Sequence, residues 1–219
     1  MVTLRGMRAS VTRLLLLGAV RLFEPVNGYQ IRRELLSWQV DQWASIRPGS
    51  IYHGLASLTS DGLLRRHDLT DGTRDVAVYE STDAGRAELH RLLEWSITTV
   101  NSFDRRDFHA GFGLVALLDR ATGVDLLGRR LTALEAAVAE FDRGSGATDP
   151  YVPPHALRGV DLWAAEARAE LRWLIELLDD IESGELAMFT DDQPDWVPAP
   201  DDPGHQMSAD RERYRALLR

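Results

Sequence analysis

The sequence contains no cysteine, no lysine and no apolar run long enough to cross a bilayer. Without cysteine there are no disulfides and no thiolate chemistry, and a reducing compartment is permitted. Without lysine, all 25 basic side chains are arginine, so each basic contact to a phosphate or a guanine must use a planar guanidinium fork. A helical membrane span needs roughly 20 apolar residues, and none is present. The start carries Arg5 and Arg8 ahead of a short apolar run over residues 11–17, but no small-residue cleavage site follows. Residues 1–9 therefore read as a disordered start. Enzyme signatures are missing too. There is no glycine-rich phosphate loop, no His-Glu-x-x-His and no Gly-x-Ser-x-Gly, and the six histidines lack metal-ligand spacing. No catalytic residue, metal ligand or cofactor is expected.

The 219 residues suffice for one or two small cores, and their charge is unevenly spread. Residues 1–90 hold 11 arginines against 10 carboxylates, a balance of +1, whereas residues 91–219 hold 14 against 24, a balance of −10. Any surface for nucleic acid belongs in the first part, because the second would repel phosphate.

In that first part, Val11, Leu14, Leu15 and Leu22 repeat at helical spacing and predict a helix over about residues 10–23. A break at Glu24-Pro25-Val26-Asn27-Gly28 follows. Asn27 then caps a second helix, with Ile31 and Leu35 on one face, ending near Trp38. Pro48 suits the first position of a third helix that buries Ile51, Leu55 and Leu58, and Gly62 fits a left-handed C-terminal position. Asp71-Gly72 between two short β-prone runs predicts a hairpin, and Thr82-Asp83 opens a fourth helix extending through Phe103. This order, α-α-α-β-β-α, is a winged helix-turn-helix over residues 10–90.

Opposite the Ile51–Leu55–Leu58 stripe, the third helix presents Gly49, His53, Ala56, Ser57 and Ser60, with Ser50 at the edge. A face this slim suits a major groove about 12 Å wide. Arg47 stands at the positive helix start, Tyr52 lies on the flank, and Arg65, Arg66 and Arg74 surround the hairpin as candidate phosphate contacts. The candidate DNA-binding residues are thus Arg47, Gly49, Ser50, Tyr52, His53, Ser57, Arg65, Arg66 and Arg74.

Beyond residue 91 the pattern changes. Leu127, Leu131, Leu134, Val138 and Phe141 form one heptad-like seam, and Val160, Ala164, Ala167, Leu171, Leu174, Leu178 and Ile181 form another. A Gly/Pro-rich stretch, residues 144–154, joins them, and a shorter apolar helix is expected around residues 112–118. Residues 91–188 read as a helical dimerisation and effector domain, with Leu171, Trp173, Leu174, Leu178 and Ile181 as dimer contacts. Trp95, Phe108 and Phe112 are candidate walls of a site for an aromatic small molecule. Residues 189–219 read as an acidic, Pro-rich tail with a short helix near residues 208–218.

The chain resembles the PadR family of winged-helix regulators over about residues 10–95. The resemblance rests on Leu15-Leu16-Leu17-Gly18, Asn27-Gly28-Tyr29-Gln30-Ile31, Pro48-Gly49-Ser50-Ile51-Tyr52-His53-Gly54-Leu55, Asp61-Gly62-Leu63 and Tyr79-Glu80-Ser81-Thr82-Asp83-Ala84-Gly85-Arg86. More loosely, Ala165-Glu166 through Glu170-Leu171-Arg172-Trp173-Leu174 resembles the long subgroup with a virulence-activator-like helical domain. Membership implies a cytoplasmic homodimer that binds double-stranded DNA at an inverted-repeat operator, usually as a repressor, with positions matching Ser50, Tyr52 and His53 at the DNA. Some members release DNA on binding phenolic acids or drugs. Two departures stand out: Arg47 replaces a common Ser or Thr cap, and His53 replaces a frequent Pro or Arg. The alternative reading is a winged-helix protein-interaction module whose acidic C-terminal part binds a basic partner.

Overall fold

A computed structural model describes residues 4–144, 152–192 and 199–219. The chain divides into two compact units, residues 1–93 with 195–219, and residues 94–194.

The first unit begins with α1 (Leu4–Phe23), which starts six residues ahead of the expected position, within the stretch read as disordered. Leu14 to Leu17 are four consecutive leucines, each at most 2% exposed. A helix apolar all round must be enclosed on all sides, and α1 packs on α2, α4 and β3. A two-residue strand, β1 (Val26–Asn27), leads into α2 (Gly28–Ser37). Asn27 and Gln30 form a reciprocal capping box at its start, the Asn27 side chain accepting from Gln30 N at 2.9 Å. After the short α3 (Val40–Trp43) comes α4 (Pro48–Ser60), ending at Gly62 with φ +73°.

The hairpin β2 (Leu64–Asp71) and β3 (Arg74–Ser81) pairs Leu64 with Ser81 through Asp71 with Arg74, so the turn residues are Gly72 and Thr73. Only Gly72 has positive φ, +64°, the pattern of a II′ turn that glycine adopts without strain. β1 adds to the far side of β3, giving the antiparallel order β1-β3-β2. This third strand and α3 carry too few residues to leave a periodic signal. α5 (Asp83–Thr98) closes the layout, stopping short of the expected Phe103.

The second unit holds α6 (Arg106–Phe112), a 3-10 turn (Val115–Leu117), α7 (Arg120–Gly144) and α8 (Pro154–Ser183). The apolar helix expected at residues 112–118 is thus split, with α6 ending at Phe112. α7 and α8 pack on each other within the chain. Their facing seams supply Leu127, Leu134, Ala164, Ala167, Leu174, Leu177 and Ile181 to the core, all at most 7% exposed. This corrects the dimer assignment for Leu174 and Ile181: at 0% and 1% exposure their surface is consumed inside the protomer. Leu171 and Leu178 are half-buried, and Trp173 remains 38% exposed. Most of the expected connection over residues 144–154 and the middle of the acidic tail lie outside the described residues.

Near the C-terminus, α9 (Pro203–Leu217) begins five residues earlier than the expected short helix. The Asp202 side chain accepts from Gly204 N, and Pro203 takes the first turn. No helix among the described residues is long and apolar enough to cross a membrane.

Candidate nucleic-acid interface

α4 is fixed from within by Ile51, Leu55 and Leu58, all at most 2% exposed. The opposite side, Gly49, His53, Ala56, Ser57 and Ser60, is exposed along its whole length, as are Arg47 and Ser50. Arg47 is the N-cap but makes no side-chain cap bond, which leaves its guanidinium outside the helix start. The Ser50 hydroxyl donates to the Arg47 carbonyl at 2.7 Å. Its lone pairs remain as acceptors.

Tyr52, 47% exposed, leans over the start of α2. A Cβ on Gly28 would lie 3.1 Å from the Tyr52 ring, a tight contact that would push the ring back by a few tenths of an ångström. Tyr29, 62% exposed, stands beside it. Both tyrosines border a cleft of about 730 Å³ whose other walls include Arg33, Arg66, Arg74, Asp71 and, from α9, Gln206, Asp210 and Arg213.

Strand alternation divides the two neighbouring wing arginines. Arg66 sits opposite Tyr79 and borders the cleft, whereas Arg65 sits opposite Glu80 on the other face, together with His67. The His67 ring meets the Glu80 carboxylate at 2.9 Å. The pleat thus sets these two candidate phosphate contacts on opposite faces of the hairpin. The Arg66 guanidinium pairs with Asp68 at 2.7 Å, and that hydrogen bond raises its pKa above the ordinary value. Arg74 is exposed at the turn, in register with Asp71.

The candidate ligand residues fare differently from one another. Phe108 and Phe112 have ring centroids 5.7 Å apart, and Trp173 meets them edge-on at 6.0 and 5.1 Å. Phe108 is buried, and the Arg130 guanidinium lies 3.6 Å above its ring, so this ring serves packing. Phe112 and Trp173 line an apolar pocket of about 770 Å³ with Val115, Leu177, Met188 and Phe189. Trp95 is half-buried on α5 and does not line that pocket. Trp173, read in the sequence as a dimer contact, also lines this pocket. Sequence reasoning also left Tyr29, Arg33 and the α9 side chains out of this cleft. Tyr29 was visible in the Asn27-Gly28-Tyr29 motif, whereas the α9 contribution had only the Asp202-Pro203 helix start and an excess of arginine to announce it.

Among the described residues no cluster of His, Asp or Glu could hold a metal ion. The arrangement offers a slim polar helix face with arginines and tyrosine hydroxyls on its flank, a set suited to binding a polyanion.

Residues 16–91 match the Transcriptional regulator PadR-like family. A search of curated proteins returns no match. Among solved structures the chain is similar to Bacillus subtilis PadR in complex with operator DNA, at 21% identity over 77% of this chain and 98% of that one, with a TM-score of 0.36. It is also similar to the PadR-like transcriptional regulator BC1756 from Bacillus cereus, at 19% identity over 81% and 96%, with a TM-score of 0.34. A structure of Bacillus subtilis PadR in complex with p-coumaric acid is similar at 21% identity over 78% and 99%, with a TM-score of 0.33. The family match ends at residue 91, so the likeness of the C-terminal helices to the long subgroup rests on their sequence motif. The family likeness is thus carried by residues 16–91, about a third of the chain, which are similar to the PadR-like transcriptional regulators.

Proposed function

We propose that the chain is a dimeric, cytoplasmic transcription regulator, acting as a repressor at an inverted-repeat operator and responding to an aromatic small molecule. The observation that carries this reading is the exposed, slim side of α4 with Tyr52, Arg66 and Arg74 beside it. In this reading His53, Ser57 and Gly49 meet base edges in a major groove, while Arg47, Tyr52, Arg66 and Arg74 hold phosphates. Arg65, on the far face of the hairpin, serves only if the duplex wraps the wing. Dimerisation falls to apolar side chains that α8 leaves uncovered, among them Val160, Leu162, Trp163 and Ile175, each 38–58% exposed. The pocket walled by Phe112 and Trp173 suits a flat, apolar ligand.

Hydroxyl-radical footprinting on the DNA upstream of the protein's own gene tests the reading. Two protected half-sites centred about 10 base pairs apart are expected, related by two-fold symmetry. A flat aromatic compound should relieve the protection in the wild type but not in Trp173→Ala. No protection at any salt concentration, with a stable protein complex recovered instead, favours the interaction module.

A further inference from the structure

α9 is seated on the winged-helix unit by specific polar anchors. The Tyr214 hydroxyl, on a residue 2% exposed, accepts from Asn27 Nδ2 at 2.9 Å. Asp210, 9% exposed, accepts from Gln30 Nε2 at 2.8 Å and from Gln206 Nε2 at 2.8 Å. Asn27 and Gln30 are also the capping-box residues of α2, so the same two side chains start one helix and seat another. From this seat Arg213 reaches the wing, donating to Asp71 at 2.8 Å and to Asp210 at 2.7 Å.

The charge pattern gives this contact a purpose. Residues 64–81, the wing, carry three arginines against four carboxylates, a poor partner for phosphate without help. Residues 203–219 carry four arginines against two carboxylates, and one of those two is the buried Asp210. This reverses the sign of residues 94–194, where nine arginines face 19 carboxylates. Arg213 and Asp210 border the same cleft as Tyr52, Arg66 and Arg74. A covering role for α9 does not fit, because Gly49, His53, Ala56, Ser57 and Ser60 stay exposed with α9 in place.

We infer that α9 is a third element of the DNA-contacting surface: Arg213 cancels the repulsion of Asp71 in the wing and, with Arg66 and Arg74 across the cleft, meets the phosphate backbone beside the recognition helix. This rests on the regulator reading above. The pair with Asp71 lies at the surface, with Arg213 46% exposed, so a phosphate can share the guanidinium at little cost.

The test uses the full chain and a labelled duplex from upstream of its own gene, with binding followed by fluorescence anisotropy over a range of salt. Arg213→Gln is compared with Arg66→Gln and with Arg158→Gln on the exposed part of α8, each checked for an unchanged melting curve. Arg213→Gln is expected to weaken binding about three- to tenfold at roughly 0.1 M salt and to lower the salt slope by about one, as Arg66→Gln does, with Arg158→Gln unchanged. A merely structural brace would leave the slope intact. If Arg66→Gln weakens binding while Arg213→Gln leaves affinity and slope as in the wild type, the inference is overturned. Tighter binding by Arg213→Gln overturns it as well, since α9 would then obstruct DNA. If the wild type itself shows no salt-dependent binding, the regulator reading fails and takes this inference with it.

Discussion

At the scale of single residues, one acid among the described residues lies in an unfavourable place. Asp107, in the first turn of α6, is 9% exposed. Burial holds its carboxyl above the ordinary aspartate range, with Asp104 adding repulsion and Arg106 opposing both. A raised folded-state pKa means that the neutral form is the one the fold prefers. Its stabilising contribution is complete below the ordinary aspartate value and is lost as pH rises through the raised one. Asp107→Asn should therefore melt higher than the wild type at neutral pH, with the difference vanishing near about pH 3. Equal melting temperatures at neutral pH would contradict this. Nothing in the sequence marks Asp107, since an acid in a first helical turn is ordinarily a favourable surface feature. The residues of the α4 face, by contrast, were legible one by one, because a helix buried through Ile51, Leu55 and Leu58 leaves no freedom about which side chains face away.

At the scale of elements, legibility followed length and period. α2 and α4 lie where Asn27, Pro48 and the leucine spacing put them, because caps and 3.6-residue periodicity are local properties. The heptad seams of α7 and α8 were equally visible, but a seam does not say whose helix fills it, and here the two fill each other within one chain. Arg130 shows the same limit. One step from the Leu127–Leu131–Leu134 seam, it reads as a surface charge, yet it is 1% exposed. Its guanidinium donates to the Ile97 and Thr99 carbonyls at 2.9 and 3.0 Å, so it satisfies acceptors at the end of α5 that have no helical partner. It also pairs with Glu170 of α8, its Nε donating at 2.8 Å, and covers the Phe108 ring of α6. Four elements thus meet on one side chain. Arg130→Ala should destabilise the protein by about 3–5 kcal/mol, because the carbonyls and part of the Glu170 charge are left buried without a donor. Lysine should rescue little, lacking the fork that reaches all three acceptors. A thermal or urea melt of Arg130→Ala that matched the wild type would refute this role.

At the scale of the whole molecule, charge is sorted between the two units: residues 94–194 carry the acid excess, and the arginine excess lies in residues 1–93 and again in residues 203–219. The half-to-half difference was plain in the sequence. The return of residues 203–219 to the first unit was not, since it depends on Asn27 and Gln30 meeting Tyr214 and Asp210 from more than 170 positions away. On the proposed regulator reading, that sorting assigns specificity to α4 and general affinity to the arginines around it. His53 faces outward on α4, and Arg66 flanks the cleft. The most direct measurement is a gel-shift competition of His53→Ala and Arg66→Ala against a panel of operator variants at fixed salt. His53→Ala should change the rank order of sites, with losses of about 1–3 kcal/mol confined to the base pairs it reads, while Arg66→Ala should weaken every site by a similar factor. The reverse outcome, an unchanged ranking with His53→Ala and a reordered one with Arg66→Ala, would mean that the exposed side of α4 is not what reads the DNA.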